Sequence, residues 1–373
     1  MNNSAVASAS YTIKGTVANP AFSVASGAVN SGTEVTITCS TEGAKIYYTA
    51  DGTEPTASGT EYANAISITE AVTLKAIAVK SGMNDSVVAS VSYTISSGNI
   101  PEGFVKVKGG TVTGDTKNAS SDNDYIFIAG RTVTISDMYV CDHEITQAEY
   151  ETYCKYGSSS PSSSYGDGDN YPAYGVNWYD AIVYCNLRSI DEGLTPAYKI
   201  GEETDPRKWS GIVGDSENGY CGPSSSNSTW NALTYDKEAK GYRLPTEAEW
   251  EYIAREAGTS TTTYSGSDTI DDVAWYSSNS SSKTHEVKGK NANSLGIYDM
   301  SGNVWEWCYD WYGTVSSTTA DTGASSGSSR VRRGGSWNGN ASICAVSYRG
   351  YNPPYSRNYD YGCGFRVVRS SSK

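Results

Sequence analysis

The sequence predicts an α+β protein in which a small all-β sandwich precedes a larger domain of mixed strands and helices. Three observations lead to this prediction. The first hundred residues alternate short strand patterns with turns and contain no helical pattern. The rest of the chain contains three segments with helical periodicity. Long loops rich in Ser, Gly and Asn separate these helices, which is typical of a domain held together by specific contacts rather than by regular layers.

The composition favours a secreted or surface-displayed protein and argues against some partners. The 373 residues carry 28 Lys and Arg against 41 Asp and Glu, a formal net charge of −13. A chain this acidic repels phosphate backbones, so we expect no nucleic-acid partner. No apolar run reaches about 18 residues, so we expect no membrane span. Charged residues make up 18 %, while Gly, Ser, Thr and Tyr are abundant, as in loop-rich extracellular domains.

A repeated phrase sets the boundaries of the N-terminal module. AVASASYTI at Ala5–Ile13 recurs 82 residues later as VVASVSYTI at Val87–Ile95. A repeat at this spacing indicates tandem modules. We therefore expect residues 1–18 to be the last strand of an upstream repeat, and residues 19–96 to be one complete Ig-like β-sandwich.

The strand pattern inside this module is typical of an all-β fold. Short alternating segments are separated by turn residues such as DGTEP at 51–55. The predicted strands lie at 34–40, 45–50, 66–69 and 72–80. The stretch from 47 to 79 resembles the small Ig-like module at the C-terminus of chitobiase and hexosaminidase enzymes. In that family the module is a spacer without catalytic residues, and we expect the same role here.

The larger domain is predicted at 104–373, after a linker at 97–103 that contains Gly98 and Pro101. Thr146 and Thr246 are N-cap candidates for two of its helices, and Glu149 completes a capping box with Thr146. The predicted helices lie at 144–157, 177–193 and 245–258.

The start of the chain bears on where the protein acts. MNNSAVASAS lacks the basic and apolar regions of a signal peptide. Either the protein stays inside the cell, or a native signal or lipid anchor has been removed before residue 1. The composition favours the second alternative, and we expect a monomer at the cell surface or outside the cell.

Four phrases in the larger domain identify a family. They are GFVKVKGGTVTGD at 103–115, GYRLPTEAEWEYIAR at 241–255, NSLGIYDMSGNVWEWCYDWYG at 293–313, and RVRRGGSW at 330–337 closed by GFRVV at 364–368. Together they resemble the formylglycine-generating-enzyme (sulfatase-modifying factor) family over residues 103–369. The resemblance implies a C-type-lectin-like fold with two or three helices and a small twisted antiparallel sheet.

The same resemblance implies a structural calcium ion. In the family, the segment that contains GNVWEW wraps a calcium ion with carboxylates and backbone carbonyls. Carried over, the ligands are Asp299, the carbonyls of Gly302 and Val304, and Glu306. All are oxygen donors, as Ca²⁺ prefers. The alternative is that Asp299 and Glu306 accept hydrogen bonds from loop amides without a metal.

The resemblance to this family also raises the alternative that the chain is an enzyme. Its founding activity oxidises a Cys of sulfatases with copper held by two Cys, the first three residues after the Ser of Gly-Gly-Ser and the second five residues later. Counted from Ser336, these positions hold Gly339 and Cys344. One thiolate cannot build a two-thiolate Cu(I) site, so we expect no catalytic residue and no catalytic cofactor. A related class that binds iron through three His does not match, because the chain has only His143 and His285.

A different branch of the family matches the C-terminal segment better. Between the ends GGSW at 334–337 and GFR at 364–366, the chain resembles the variable proteins of diversity-generating retroelements, of the treponemal type. In those proteins AAY codons of a template are randomised, and the resulting NNY codons cannot encode Lys, Glu, Gln, Met or Trp. Residues 338–361 contain none of these five types, and they include five Tyr and four Asn. Tyr and Asn are also typical of antibody combining loops.

The sequence therefore predicts a surface-displayed, massively variable receptor for diverse, protein ligands, with a variable region at about 334–368. Fixed scaffold positions are predicted at Cys344, Val346, Ser347, Arg349, Pro354 and Arg357. The predicted ligand-binding, diversified positions are Asn338, Gly339, Asn340, Ile343, Ala345, Tyr348, Gly350, Tyr351, Asn352, Pro353, Tyr355, Ser356, Asn358, Tyr359, Asp360 and Tyr361. The alternatives are a copper oxidase of the formylglycine-generating type and a non-variable structural protein of the cell surface.

Overall fold

The computed structural model describes residues 13–29, 32–95, 100–114, 126–157, 160–357 and 362–371. The chain divides into two compact units between Asn99 and Ile100. The predicted upstream strand at Ala5–Ile13 lies, apart from its last residue, outside the described residues.

The N-terminal unit is all-β, as predicted. Its central sheet has five strands in the order β2-β9-β8-β5-β6, and two further pairs, β1-β4 and β3-β7, complete it. The strands are β1 Ala21–Phe22, β2 Gly27–Val29, β3 Thr33–Val35, β4 Ile37–Thr38, β5 Lys45–Thr49, β6 Thr60–Glu61, β7 Ile66–Ile68, β8 Val72–Val79 and β9 Ala89–Ile95.

Alternation along these strands builds the core of the sandwich. In β8, Leu74, Ala76 and Ala78 are fully buried while the residues between them are half-buried. This period of two places one face of the strand against the opposite layer. Leu74 accordingly packs in one cluster with Val35 of β3 and Ile68 of β7. The Ig-like sandwich predicted from the strand pattern is therefore confirmed.

The C-terminal unit combines small sheets with few helices. A four-stranded sheet has the order β20-β19-β18-β21, and a three-stranded sheet has the order β10-β13-β22. The strands are β10 Phe104–Val107, β11 Gly110–Thr113, β12 Thr132–Ile135, β13 Met138–Cys141, β14 Tyr198–Lys199, β15 Val213–Asp215, β16 Gly219–Cys221, β17 Thr234–Tyr235, β18 Trp305–Trp311, β19 Arg330–Arg333, β20 Gly350–Asn352, β21 Cys363–Gly364 and β22 Val368–Ser370.

Local capping signals position the helices of this unit. Thr146, Asn177 and Thr246 each close a capping box, with Glu149, Asp180 and Glu249 as partners. The helices are α1 Gln147–Glu151, α2 Trp178–Asp191, α3 Ser228–Asn231, α4 Glu247–Ala254 and α5 Ile270–Val273. Among the residues that the structure describes, no helix has the length and apolar character needed to cross a bilayer.

Two of the predicted helices are shorter than expected. The prediction of 144–157 becomes α1, which has five residues, and the prediction of 245–258 becomes α4, which has eight. At the end of α4 the side chains of Asn293 and Ser265 donate to the carbonyls of Ile253 and Ala254. These tertiary hydrogen bonds satisfy carbonyls that a longer helix would have used.

Buried ion pairs join the helices to the C-terminal strands. The three Glu of α4 lie in the core, and Arg333 of β19 bridges Glu247 and Glu251. Arg366 binds Glu306 of β18 through two hydrogen bonds of 2.7 and 2.6 Å. A domain with little regular structure is thus held together by paired charges as well as by apolar packing.

Candidate ligand-binding face

Buried backbone fixes both ends of the predicted variable region. Gly334 and Gly335 have φ values of 91° and 75°, and a Cβ at Gly335 would lie 2.7 Å from the Cys344 sulfur. Only glycine suits this position, because it combines a left-handed conformation with a close approach. At the other end, all described residues from 362 to 368 are buried. The segment between these ends is consequently held at both sides by the core.

The backbone between the two ends forms a short 3₁₀ turn followed by an edge strand. The turn spans Ala341–Cys344, and the Asn340 side chain accepts a hydrogen bond from the Ile343 N–H. Strand β20 then pairs antiparallel with β19, so that Tyr351 lies opposite Val331. A turn closed by the Ser356 N–H donating to the Pro353 carbonyl follows. The segment is therefore ordered where the structure describes it, although it contains little regular structure.

The predicted scaffold positions are anchored in the core. Five of the six are buried, and Ser347 is half-buried. Arg349 donates to both oxygens of Glu247 at 2.6 and 2.7 Å, and Arg357 donates to both oxygens of Asp180 at 2.8 and 2.7 Å. The segment is thus tied to α4 through one buried pair and to α2 through another.

The predicted diversified positions lie mostly at the surface. Twelve of the sixteen are within the described residues, and ten of these twelve are exposed or half-buried. The exposed ones are Asn338, Asn340, Tyr351 and Tyr355, and the half-buried ones are Ile343, Ala345, Tyr348, Asn352, Pro353 and Ser356. Asn358, Tyr359, Asp360 and Tyr361 lie outside the described residues. We call the ten surface positions the variable face.

Two predicted diversified positions do not belong to this face, because Gly339 and Gly350 are buried. A Cβ at Gly350 would lie 2.8 Å from the Trp305 ring, a core residue of β18. A Cβ at Gly339 would lie 2.2 Å from the Cδ1 of Ile343, which is a flexible side chain of the face itself. A larger residue at 350 therefore disturbs the core, whereas one at 339 mainly displaces the Ile343 side chain, and its Cβ lies 3.3 Å from the Ser336 carbonyl.

Two tyrosines give the face a large apolar exposure. Tyr351 is 53 % exposed and Tyr355 is 37 % exposed. In the described part of the C-terminal unit, only Ile100 and Val213 join them as exposed large apolar side chains. Tyr suits a recognition surface, because its large, rigid ring has only two χ angles to order on binding.

Fixed aromatic residues next to the face were not predicted as part of it. The Tyr312 ring lies 4.3 Å from that of Tyr351, and the Trp305 ring lies 6.0 Å from that of Tyr348. Tyr312 directly follows β18 and is half-buried, as Trp311 before it is. No local pattern indicates that Tyr312 reaches the face, because this depends on its ring contact with Tyr351 of β20.

The chemistry expected of a two-thiol copper site is missing. Gly339 occupies the first position, and Cys344 is buried, which raises its pKa to about 12. All eight cysteines carry free thiols. A surface cleft of about 450 Å³ between α1, the end of α2 and the β15-β16 hairpin is lined by no Cys and no His.

The described residues contain no group of three or more His, Cys, Asp and Glu side chains that could hold a metal ion. His143 lies between the carboxylates of Asp142 and Glu149, at 2.5 and 3.2 Å. His285 stacks on Trp275 with ring centroids 3.8 Å apart. The two histidines thus have local structural partners.

Of the predicted calcium ligands, the side chains of Asp299 and Glu306 are both buried and lie near each other. Asp299 is 3 % exposed and accepts a hydrogen bond from the Lys288 N–H. The Glu306 carboxylate accepts from Arg366 and from the Trp250 indole N–H at 2.7 Å. Burial raises the pKa of Asp299 to about 6, and burial together with the Asp299 and Glu306 charges raises the pKa of Glu144. Asp299 and Glu306 thus supply oxygen donors of the kind that Ca²⁺ prefers, in a region where buried carboxylates repel one another.

The C-terminal fold and its motifs define a class of protein. The model of the sulfatase-modifying factor enzyme 1-like domain matches residues 95–371, and the chain belongs to this family. The chitobiase/beta-hexosaminidase C-terminal domain model matches residues 24–90. The C-type-lectin-like fold and the Ig-like module predicted from the sequence are thereby confirmed.

Individual relatives place the chain within the family. Treponema denticola variable protein 1 is 32 % identical, with a TM-score of 0.56 over 76 % of this chain and 96 % of that one. The chaperone protein LppX of Paenibacillus barcinonensis is 36 % identical over 76 % of this chain and 95 % of its own length. The formylglycine-generating enzyme of Streptomyces coelicolor is 34 % identical over 36 % of this chain and 49 % of its own length. The likeness to a treponemal variable protein agrees with the predicted branch of the family.

Proposed function

We propose that the chain is a surface-displayed receptor whose variable face binds protein ligands, and that it has no catalytic activity. One observation carries the proposal, namely the division of a single segment into buried anchors and exposed Tyr and Asn positions. Arg349 and Arg357 are held in core ion pairs, while Tyr351 and Tyr355, which lie between them in the chain, face outward. Substitutions at the outward positions leave the buried pairs intact, so the surface can change without loss of the fold.

The likeness to Treponema denticola variable protein 1 supports this proposal, as does the Tyr- and Asn-rich composition of the face. We further propose that the exposed positions are diversified through a retroelement template, that the N-terminal unit is a spacer, and that the protein is displayed at the cell surface. A near-identical template repeat beside a reverse-transcriptase gene, differing only at adenines, is the genomic test of diversification.

The binding test uses a library displayed on yeast. Asn340, Ile343, Tyr348, Tyr351, Asn352 and Tyr355 are replaced by NNY codons, and the library is panned against hen egg-white lysozyme. We expect most members to be displayed in folded form and binders to be enriched. The control is a matched library in which six exposed positions of the loop 313–329 are replaced by NNY codons. We expect it to yield no binders. Loss of folding in most members of the first library would show that these positions belong to the core.

The copper-oxidase alternative has its own test. Because Gly339 replaces one thiol and the pKa of Cys344 is raised to about 12 by burial, we expect no stoichiometric Cu(I) binding at pH 7. Titration of the purified protein with Cu(I) against a chromogenic chelator measures this. One tightly held copper per chain, with oxidation of a thiol peptide, would overturn the proposal that the protein is not an enzyme.

A further inference from the structure

A continuous stack leads from the core to the most exposed ring of the variable face. Its base is Glu247, 1 % exposed, which binds the guanidinium of Arg349. The guanidinium carbon of Arg349 lies 4.9 Å from the centroid of the Tyr312 ring. The Tyr312 ring lies 4.3 Å from the Tyr351 ring, with the two planes 34° apart. The stack therefore contains a carboxylate, a guanidinium and two rings in succession.

The inner members of this stack are held in place by several contacts. Arg349 donates a further hydrogen bond to the Gly313 carbonyl at 3.0 Å. The backbone N–H of Tyr312 donates to the Ser329 carbonyl at 2.8 Å. These hydrogen bonds hold the Arg349 guanidinium and the Tyr312 backbone in place, and the cation–π contact adds to the order of the Tyr312 ring.

The outer member of the stack, Tyr351, occupies a position where the backbone is fixed by strand pairing. We have proposed above that the side chain at this position is one of those that are diversified. Strand β20 holds residue 351 opposite Val331 of β19. A planar side chain at 351 stacks on Tyr312 and loses little further freedom on binding. A small side chain at 351 instead leaves the Tyr312 ring uncovered.

A second pair has the same arrangement. Tyr348 of the face lies 6.0 Å from the ring of Trp305, which is 3 % exposed. The guanidinium carbon of Arg332 lies 4.5 Å from the centroid of the same indole ring. Two tyrosines of the variable face thus pack against aromatic rings outside it. Tyr348 packs against Trp305 of β18, and Tyr351 packs against Tyr312, the residue directly after β18.

We infer that Tyr312 is a fixed part of the ligand-binding face and a positioning residue for position 351, where it favours planar side chains. The inference rests on the proposed function in one respect, that position 351 is varied and contacts the ligand. Protein ligands that accept a flat aromatic ring at this point are the partners that the stack suits best.

The first test needs no ligand. Urea unfolding is measured for Tyr312→Leu, Tyr351→Ala and the double variant, since Leu keeps apolar bulk at 312 but cannot stack. We expect the double variant to lose clearly less stability than the sum of the two single losses. Tyr153→Leu is the matched control, because Tyr153 is also half-buried and packs on another ring, that of Tyr184. Its effect should add to that of Tyr351→Ala. Strict additivity for the 312 and 351 pair would overturn the inference.

The second test uses the NNY library in two backgrounds, wild type and Tyr312→Leu, both panned against lysozyme. Among wild-type binders we expect Tyr, Phe and His at 351 to be enriched over the unselected library. In the Tyr312→Leu background the enrichment of these planar residues at 351 should fall several-fold. Their enrichment at 355 should be the same in both backgrounds. Equal distributions at 351 in both backgrounds would overturn the inference and leave the proposed function standing. Recovery of binders from neither background would overturn the proposed function, and the inference with it.

Discussion

At the scale of single residues, buried charges decide which positions of the binding segment are free to change. Arg349 and Arg357 sit inside the variable region, yet each is fixed by a bidentate pair with a core carboxylate. The sequence predicted both as scaffold, but it could not predict their partners, because Asp180 and Glu247 lie more than a hundred residues away in the chain. It could not predict that Gly350 is buried, because that follows from the pairing of β20 with β19 and from the Trp305 ring.

The Glu247 carboxylate is the residue on which this anchoring depends most. It binds Arg333 and Arg349, whose side chains are 0 and 3 % exposed. The substitution Glu247→Gln leaves the buried Arg349 without a paired carboxylate and leaves Arg333 with Glu251 alone. We therefore expect a loss of about 3–5 kcal/mol in the free energy of unfolding. Chemical denaturation of the C-terminal unit measures it. The matched control is Glu202→Gln in the exposed pair with Lys199, which should change stability little. Equal effects of the two substitutions would show that the buried network is dispensable.

The buried carboxyl group of Asp310 in β18 makes the stability of the folded state depend on pH. Burial, followed by the nearby charge of Glu247, raises its pKa to about 8. The folded state therefore holds a proton between about pH 4 and 8 that the unfolded state releases, so this group makes stability fall as pH rises through that window. In Asp310→Asn the Tm relative to wild type should increase from pH 5 to pH 8. Calorimetry at both pH values tests this, with the exposed Asp236→Asn as control. Parallel profiles for wild type and Asp310→Asn would contradict the assignment.

At the scale of elements, local signals predicted where helices begin better than where they end. The N-caps Thr146 and Thr246 are set by side chains three residues away, so they are legible in the sequence. The end of α4 depends on Asn293 and Ser265, which lie far along the chain. Likewise, no local pattern indicates that Tyr312, directly after β18, reaches the face, because this depends on its ring contact with Tyr351 of β20.

The loop that leads into β18 has the donors for an ion as well as for hydrogen bonds. We propose that Asp299, the carbonyls of Gly302 and Val304, and Glu306 bind calcium, which the burial of two neighbouring oxygen-donor carboxylates supports. Adding Ca²⁺ to chelator-treated protein should raise the Tm by several degrees, because the ion binds only the folded state. Asp299→Asn should keep this response and Asp299→Ala should lose it. An unchanged Tm in millimolar Ca²⁺ would favour the alternative in which these carboxylates serve only as hydrogen-bond acceptors.

At the scale of the whole molecule, the charge of the chain and the charge of its binding face are separate properties. The formal net charge is −13, whereas the variable face consists of Asn, Ile, Ala, Tyr, Pro and Ser. The two arginines in the described part of the segment are already paired in the core. The field of the chain therefore acts at long range, and contacts at the face are made by rings and neutral hydrogen-bonding groups.

This separation predicts how binding responds to salt. Long-range attraction is screened over a Debye length, so association of a cationic ligand with this acidic chain should slow markedly between about 0.05 and 0.5 M NaCl. Dissociation depends on contacts at the interface, and uncharged contacts are little affected by screening, so the dissociation rate should change by less than about twofold. Surface plasmon resonance with a lysozyme binder from the library measures both rates. A binder with a new Arg at 351 is the control, and its dissociation rate should depend more strongly on salt. A steep salt dependence of dissociation in binders without a charged substitution would mean that charged groups outside the variable face make the decisive contacts.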